Sequence, residues 1–211
     1  RSDAHTTDRC SAGSHRHLVA VDPQAAVYEA QEPGFERGTL GVFGCAFGHS
    51  RSFGLGRVPR CGVVGGGKGC FGVEQIRLAG TMVAYERFDQ EYVSEEYVVV
   101  RDLKSGRVLH HVPTGVRSGP EANPADVGGG PVRGLVVKPD GSVAWMVEDG
   151  ERSTLTPSGD PAIRYLSVYA QDRSGLHLLS AGTNIDVTSL ALGGSTVYWT
   201  EGGHPMSATL N

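Results

Sequence analysis

Glycine and proline interrupt this sequence so often that long helices have almost no room to form. The 211 residues include 31 glycines and 11 prolines, and both residue types end helices and mark turns. Short runs rich in β-branched and aromatic residues lie between these breakers, as is typical of strands. Hydrophobic residues make up 39% of the chain, which suits half-buried strands better than fully buried parallel ones. The sequence therefore predicts an all-β protein.

Four short segments with a central aromatic residue recur along the chain. They are Ala26-Val-Tyr-Glu29, Val83-Ala-Tyr-Glu86, Val143-Ala-Trp-Met146 and Val197-Tyr-Trp-Thr200. Their aromatics, Tyr28, Tyr85, Trp145 and Trp199, lie about 55 to 60 residues apart, an interval slightly above that of common propeller blades. An apolar run and a turn precede each segment, which is the pattern of a β-hairpin. We expect the four aromatics to pack between successive modules.

Two modules add a second hairpin that turns on Ser-Gly, at Ser105-Gly106 and Ser174-Gly175. The resulting unit is a four-stranded meander, which gains stability by stacking on its neighbours. We predict a small β-propeller of about four four-stranded antiparallel blades. The predicted parts are an N-terminal arm at 1–14 and a single propeller domain at 15–211, with blades at about 15–60, 73–115, 132–182 and 186–211.

The last predicted blade has three strands, and propellers commonly close by borrowing a strand from the other terminus. Residues around 14–20 fit this closing strand, and they fit equally well as the first strand of the first blade. The sequence leaves both registers open.

Two segments carry a resemblance to a known family. Lys138-Pro-Asp-Gly-Ser-Val-Ala-Trp-Met-Val147 resembles the Pro-Asp-Gly hairpin of TolB-type and related propeller repeats, and the run VVVRDLKSGRVLH at 98–110 resembles the outer hairpin of such blades. From about Leu18 onward the chain also resembles secreted propeller-like proteins of actinobacteria. The resemblance implies a propeller fold and an extracytoplasmic bacterial location, and it implies no particular activity.

The four cysteines, Cys10, Cys45, Cys61 and Cys70, lie in the first third of the chain. An even number in polar, glycine-rich segments indicates two disulfides and an oxidising compartment. Three pairings are possible. We expect Cys61 to pair with Cys70, closing a flexible loop at 62–69, and Cys10 to pair with Cys45, holding the N-terminal arm. The chain is therefore predicted to be secreted or displayed at the cell surface.

Charge and hydropathy exclude two classes of partner. The formal net charge is −4, and the lysines and arginines are scattered along the sequence instead of forming a basic stripe, so nucleic acid is not expected as a partner. No apolar run approaches the ~18 residues that a membrane-spanning helix needs, so no transmembrane segment is predicted.

We predict neither a metal site nor a cofactor. The histidine pairs, His15 with His17 and His110 with His111, lack further ligands at a recognisable spacing. The cysteine spacings do not match a zinc knuckle. The run at 62–68 has the outline of a phosphate-binding loop, but glycine follows its lysine where Ser or Thr would hold magnesium.

One acidic stretch has the composition of a binding site. Carboxylates and aromatic rings alternate between residues 86 and 97, and such groups bind sugars or cations, or act as paired acids on glycosides. The simpler interpretation is a solvated acidic loop. We take Glu86, Asp89, Glu91 and Tyr92 as candidate ligand-binding residues, and we assign no catalytic residue.

The favoured function is a non-enzymatic extracellular binding or scaffolding module, because the sequence shows no assembled catalytic group such as a G-x-S-x-G turn. Its expected partner is a glycan, a cell-envelope component or another extracellular protein. The alternative is a hydrolase or lyase that acts on polysaccharides through loop carboxylates. A structural subunit of a larger assembly is the third hypothesis.

Overall fold

The computed structural model describes residues 10, 16–31, 39–64, 67–89, 95–115, 129–149, 154–155 and 161–211. Within these ranges the chain forms eighteen strands and no helix, so the all-β prediction is confirmed. No helix that could cross a membrane is present among them.

The strands form four antiparallel sheets that follow one another along the chain. Sheet I contains β1 (His17–Asp22), β2 (Ala25–Gln31), β3 (Leu40–Ala46) and β4 (Ser52–Arg57). Sheet II contains β5 (Arg60–Val64), β6 (Gly67–Ala79), β7 (Met82–Asp89), β8 (Glu95–Asp102) and β9 (Val108–Pro113). Sheet III contains β10 (Val132–Val137), β11 (Val143–Glu148), β14 (Leu166–Asp172) and β15 (Gly175–Gly182). Sheet IV contains β16 (Ala191–Gly193), β17 (Thr196–Glu201) and β18 (His204–Thr209), and the short strands β12 (Thr154–Leu155) and β13 (Pro161–Ile163) pair with each other.

The number of strands varies from sheet to sheet, in contrast to the predicted four per blade. Sheet II has five strands because β5 and the first part of β6 belong to it, and these lie, apart from residue 60, between the predicted blades at 15–60 and 73–115. The prediction of a flexible loop at 62–69 was wrong for the residues described there, since β5 and the start of β6 pair as a hairpin with Cys61 opposite Cys70. Sheet IV has the three strands expected of the last module.

The structure also decides between the two registers of the N-terminal residues that it describes. His17 to Ala20 lie in β1, which pairs with β2. They are therefore the first strand of sheet I, and they do not pair with sheet IV as a closing strand.

Short turns connect the strands at one end of the sheets. In four of them an aspartate accepts a hydrogen bond from the backbone N–H two residues later, an arrangement that stabilises a tight reversal; these are Asp22, Asp102, Asp140 and Asp172. Burial alone would raise the pKa of Asp102, but hydrogen bonds from Ser105, Lys104 and Thr81 outweigh it and lower that pKa. The Pro-Asp-Gly turn includes Gly141 at φ 92°, a conformation that favours glycine.

Apolar side chains fill the space between successive sheets. Val27, Leu55 and Val83 belong to the core between sheets I and II. Leu135 belongs to the core between sheets II and III. Val168 and Val197 belong to the core between sheets III and IV. Tyr85, Trp145 and Trp199 lie on β7, β11 and β17, and each belongs to the core shared with the preceding sheet.

Tyr28 occupies the corresponding strand of sheet I, where no described sheet precedes it. Its ring packs against Cys10 and Cys45 and is stacked on Phe43 with ring centroids 5.8 Å apart. The guanidinium of Arg16 lies 4.5 Å from the centre of the Tyr28 ring. Cys10 and Arg16 thus lie against the face of sheet I that carries Tyr28.

Both disulfides have the predicted pairing, Cys10 with Cys45 and Cys61 with Cys70. The first ties the N-terminal segment to β3, and the second closes the β5–β6 hairpin. Each therefore constrains a part of the chain with little apolar core of its own.

Candidate functional site: an arginine-lined groove between sheets I and II

A cleft of about 740 Å³ lies between sheets I and II. Strand β4 forms one wall, and strands β6 to β9 form the other. The charged residues that line it are Arg57, Arg87, Asp89, Arg101 and His111, and the aromatic ones are Phe43, Phe71, Tyr85 and Phe88. The cleft therefore combines a cationic surface with aromatic rings.

Strand alternation places several of these side chains on the same wall. Successive residues of a strand point to opposite faces, so Tyr85, Arg87 and Asp89 share the face of β7 that is turned toward sheet I. Arg101 extends from β8 across the cleft, where its Nη1 donates a hydrogen bond to the carbonyl oxygen of Gly54 at 3.0 Å. This bond connects the two walls.

The Tyr85 hydroxyl lies within the field of two of the arginines. Burial raises the pKa of Tyr85, and the positive charges of Arg101 and Arg87 act in the opposite direction without cancelling the effect. The hydroxyl is therefore neutral at physiological pH and can donate or accept a hydrogen bond. Two guanidinium groups thus accompany one neutral hydroxyl on the same wall.

A second hollow of about 320 Å³ adjoins the cleft and is also lined by Arg57 and Phe71. Arg60, Val58 and Pro59 contribute to its wall. The guanidinium of Arg57 lies 5.9 Å from the centre of the Phe71 ring, which is within the range of a cation–π contact. We refer to the two hollows together, with Arg57, Arg60, Arg87 and Arg101, as the arginine groove.

The backbone around the junction of the two hollows is closely packed. A Cβ atom added to Gly72 on β6 would lie 2.6 Å from the Cα of Pro59 and 2.9 Å from its nitrogen, so only glycine fits without movement of the backbone. On the neighbouring hairpin, Arg60 lies opposite Phe71, next to the disulfide pair Cys61 and Cys70. The disulfide thus fixes the strands that supply two groove residues.

Glu86, the first of the predicted site residues, faces away from the groove. It is buried, with 2% of its surface exposed, and its Oε1 accepts a hydrogen bond from the N–H of Val132 in sheet III at 2.9 Å. Burial raises the pKa of Glu86 to about 8, with smaller contributions in the same direction from Glu96 and Glu74. The Val132 N–H and the charge of Arg133 act against the rise, and Glu86 is mostly protonated at pH 7.

The other predicted residues are placed differently. Asp89 lines the groove, and since it is three positions beyond Glu86 on a regular strand, the two carboxyls lie on opposite faces of β7. Glu86 and Asp89 both belong to strand β7, which continues to Asp89. The expectation that these residues lie in a long loop was therefore wrong. Glu91 and Tyr92 lie outside the described residues.

Near Glu86, a buried carboxylate of sheet III is held by two arginines. Oε2 of Glu148 lies 2.7 Å from both Nε and Nη2 of Arg133, and 3.5 Å from Nη1 of Arg164. Since Glu148 is 4% exposed, this pairing satisfies a buried charge, and it serves the structure of the sheet.

The histidines make separate contacts. His17 lies 3.5 Å from a carboxylate oxygen of Glu29, and His111 stacks on Tyr97 with ring centroids 4.2 Å apart. Burial lowers the pKa of His110, although Asp172 acts in the opposite direction. In the described part of the chain, no three His, Cys, Asp or Glu side chains are grouped as they would be to hold a metal ion.

Sequence analysis did not identify the arginines of the groove. Arg57, Arg87 and Arg101 belong to β4, β7 and β8, and no local pattern connects them. The one available signal was the spacing of Arg87 and Tyr85, which are two positions apart on an aromatic strand and therefore share a face. The stacking of two sheets brings the remaining residues together.

Comparison of the chain with protein-family models, with curated proteins and with solved structures found no match. The TolB-type resemblance therefore stays a prediction based on the segments at 98–110 and 138–147. The functional argument rests on the geometry of the groove.

Proposed function

We propose that this chain is a non-enzymatic extracellular binding module, that its four sheets are blades of a β-propeller, and that its ligand occupies the arginine groove. The propeller is supported by the order of the sheets, each an antiparallel meander that stacks on the next. It is also supported by contacts between one strand of each sheet and its counterpart in the next, since β6 neighbours β1 and β10, and β10 neighbours β16. Strands gathered in this way surround the axis of a propeller.

The observation that carries the binding function is the groove itself. Concave sites with aromatic walls and a few convergent polar groups are the usual form of ligand sites, and a cleft of about 740 Å³ is within the usual size range. Arg57, Arg87 and Arg101 come from three strands of two sheets. A rigid scaffold that presents such side chains is suited to recognition.

The extracellular location is supported by the two disulfides, since disulfides persist in oxidising compartments. Cys61 and Cys70 fix a hairpin that borders the groove. The oxidising conditions that maintain this disulfide are therefore compatible with ligand binding in the groove.

The groove favours binding over glycoside hydrolysis. Paired acids must face each other across one site, at about 5 to 10 Å. Glu86 and Asp89 lie on opposite faces of β7, and Glu86 is bonded to the backbone of sheet III. The pair therefore does not support the hydrolase or lyase alternative.

Amide hydrogen exchange tests the proposal without any assumption about the ligand. The oxidised protein is screened against glycans, peptidoglycan and envelope extracts, and each saturable ligand is then mapped. We expect slower exchange at residues 54–57 and 85–89, which line the groove, and unchanged exchange in β17 and β18, which do not. The proposal fails if no saturable ligand emerges, or if protection lies only outside the groove.

A further inference from the structure

The shape and the charge of the arginine groove indicate the chemical class of its ligand. Its two hollows share Arg57 and Phe71 and therefore lie side by side. Two adjacent hollows suit a linear polymer better than a compact molecule, because successive units of a polymer can occupy successive hollows.

The charge of the groove is opposite to that of the whole chain. Four arginines, Arg57, Arg60, Arg87 and Arg101, line it together with one aspartate, Asp89, whereas the chain has a formal net charge of −4. Such local concentration attracts an anionic ligand to this surface and repels it elsewhere. Guanidinium groups also match the planar carboxylate and the sulfate group through paired hydrogen bonds.

Two of the four arginines, Arg57 and Arg101, make contacts within the protein that hold them in place before any ligand arrives. Arg101 is bonded to Gly54 of the opposite wall at 3.0 Å, and Arg57 lies over the Phe71 ring. Phe71 is opposite Arg60 on the hairpin that the Cys61–Cys70 disulfide closes. Preorganised side chains lose less entropy on binding, which favours a stable complex.

The density of charge distinguishes among anionic polymers. Nucleic acids carry a charge every ~1.7 Å of duplex axis and are bound by extended basic surfaces, which the net charge of −4 opposes. A polysaccharide with one anionic group on every sugar, or on every second sugar, has a lower charge density that four arginines can match. Its sugar rings can also pack on the aromatic side chains of the groove, such as Phe71.

We infer that the arginine groove binds an acidic polysaccharide whose sugars carry carboxylate or sulfate groups. This inference rests on the proposed function, because it names the class of ligand for the same site. Arg87 is the residue best suited to test it, since its side chain is exposed and belongs to the groove.

The test measures fluorescence anisotropy with four labelled probes: oligogalacturonate for the carboxylate, dextran sulfate for the sulfate, unmodified dextran as the neutral polymer, and a single-stranded oligonucleotide. We expect binding of oligogalacturonate, dextran sulfate or both, and the stronger of the two identifies the anionic group. Binding should weaken as salt rises. Arg87→Glu should weaken it about tenfold or more.

Arg77→Glu is the matched control. Arg77 is an exposed arginine of the same sheet, on β6, and it does not line the arginine groove. Arg77→Glu changes the net charge by the same amount as Arg87→Glu, and it should alter the affinity for the acidic polysaccharide less than about twofold. Thermal unfolding of both variants establishes that each is folded.

Four outcomes would overturn the inference: no binding of either anionic polysaccharide, equal binding of unmodified dextran, tighter binding of the oligonucleotide, or equal loss in the two variants. None of these outcomes decides the proposed function. That proposal is tested separately, by the slowing of amide hydrogen exchange at residues 54–57 and 85–89 with any other ligand of the panel. A neutral glycan that protects these residues would preserve the binding module and reject the acidic polysaccharide.

Discussion

The interface between sheets I and II and the interface between sheets II and III are built from equivalent elements, but a cleft borders the core aromatic residue only in the first, which we call the open interface. The second, which we call the closed interface, has a hollow of about 460 Å³ between β9 and the turns of sheet III, and Trp145 does not line it. In both, an inner strand of the later sheet contributes an aromatic residue to the shared core, Tyr85 from β7 and Trp145 from β11. Trp145 has no exposed surface, and its indole N–H donates to the carbonyl oxygen of Thr114. Tyr85 borders the cleft instead.

The end of the closed interface is sealed by backbone and hydroxyl groups. Thr114 is fully buried; its N–H donates to the carbonyl oxygen of Glu96, and its hydroxyl donates to that of Gly130. At the open interface, the corresponding space is lined by arginine side chains. Sheet stacking alone therefore does not define a site, because the residues at the sheet ends decide which gap between two sheets remains accessible.

The largest predicted effect concerns Glu86, which belongs to the closed interface. Its pKa rises from the ordinary 4.5 to about 8 in the folded protein. Between these two pH values the folded state holds a proton that the unfolded state has released, so stability falls as pH rises through this window and levels off above it. The loss amounts to about 5 kcal/mol in total, measured by urea unfolding from pH 4.5 to pH 9.

Glu86→Gln keeps an oxygen that can accept the Val132 N–H and does not ionise. We expect this variant to lose most of the pH dependence over the same window. Glu74→Gln is the comparison variant, because Glu74 is exposed and lies directly opposite Glu86 on β6. Burial contributes more than Glu74 to the rise of the Glu86 pKa, so this variant should keep most of the pH dependence. A wild-type protein whose stability is constant from pH 5 to pH 8 would contradict the assignment.

The second prediction compares the two aromatic residues directly. Trp145→Ala should lower the free energy of unfolding by about 4 kcal/mol, because it leaves a closed cavity and an unpaired carbonyl at Thr114. Tyr85→Ala should cost about half as much, since water can enter the space from the adjoining groove. Urea unfolding at one pH measures both. Equal losses would show that the two interfaces are equally closed.

The smallest predicted effect concerns the backbone below the groove. Gly72→Ala places a methyl group against the backbone of Pro59 and should destabilise the protein by about 1 to 3 kcal/mol. Gly182→Ala is the control, since an added Cβ there meets no atom within 4 Å. It should change stability by less than about 0.5 kcal/mol. If the two variants have the same thermal midpoint, Pro59 does not pack tightly on β6.

The parts of the fold that sequence predicted are the ones determined by local chemistry. The Pro139-Asp140-Gly141 turn specifies a hairpin through its own backbone preferences, and the structure has that turn between β10 and β11. The short apolar run around Trp145, from Val143 to Val147, likewise indicates a buried strand. The spacing of Cys61 and Cys70 was sufficient to suggest their disulfide.

The parts that sequence did not predict depend on relations between distant residues. The glycines at 62–69 indicated a loop. The described residues of this stretch form strands instead, because the disulfide and the pairing of Arg60 with Phe71 outweigh the low strand preference of glycine. The acidic residues after Glu86 suggested one site, but strand alternation divides Glu86 and Asp89 between two interfaces. Arg57 and Arg101 line one groove only because two sheets stack, and no sequence motif encodes that arrangement.

The positions of the two tryptophans give this protein a built-in optical readout. Trp145 reports on the interface of sheets II and III, and Trp199 on that of sheets III and IV, whereas the 211-residue chain has no other indole. Fluorescence from single-tryptophan versions can therefore follow the separation of each pair of layers individually. The layer pair that contains the groove has no tryptophan, so a change in tryptophan emission on ligand binding would report an effect transmitted to the other two layer pairs.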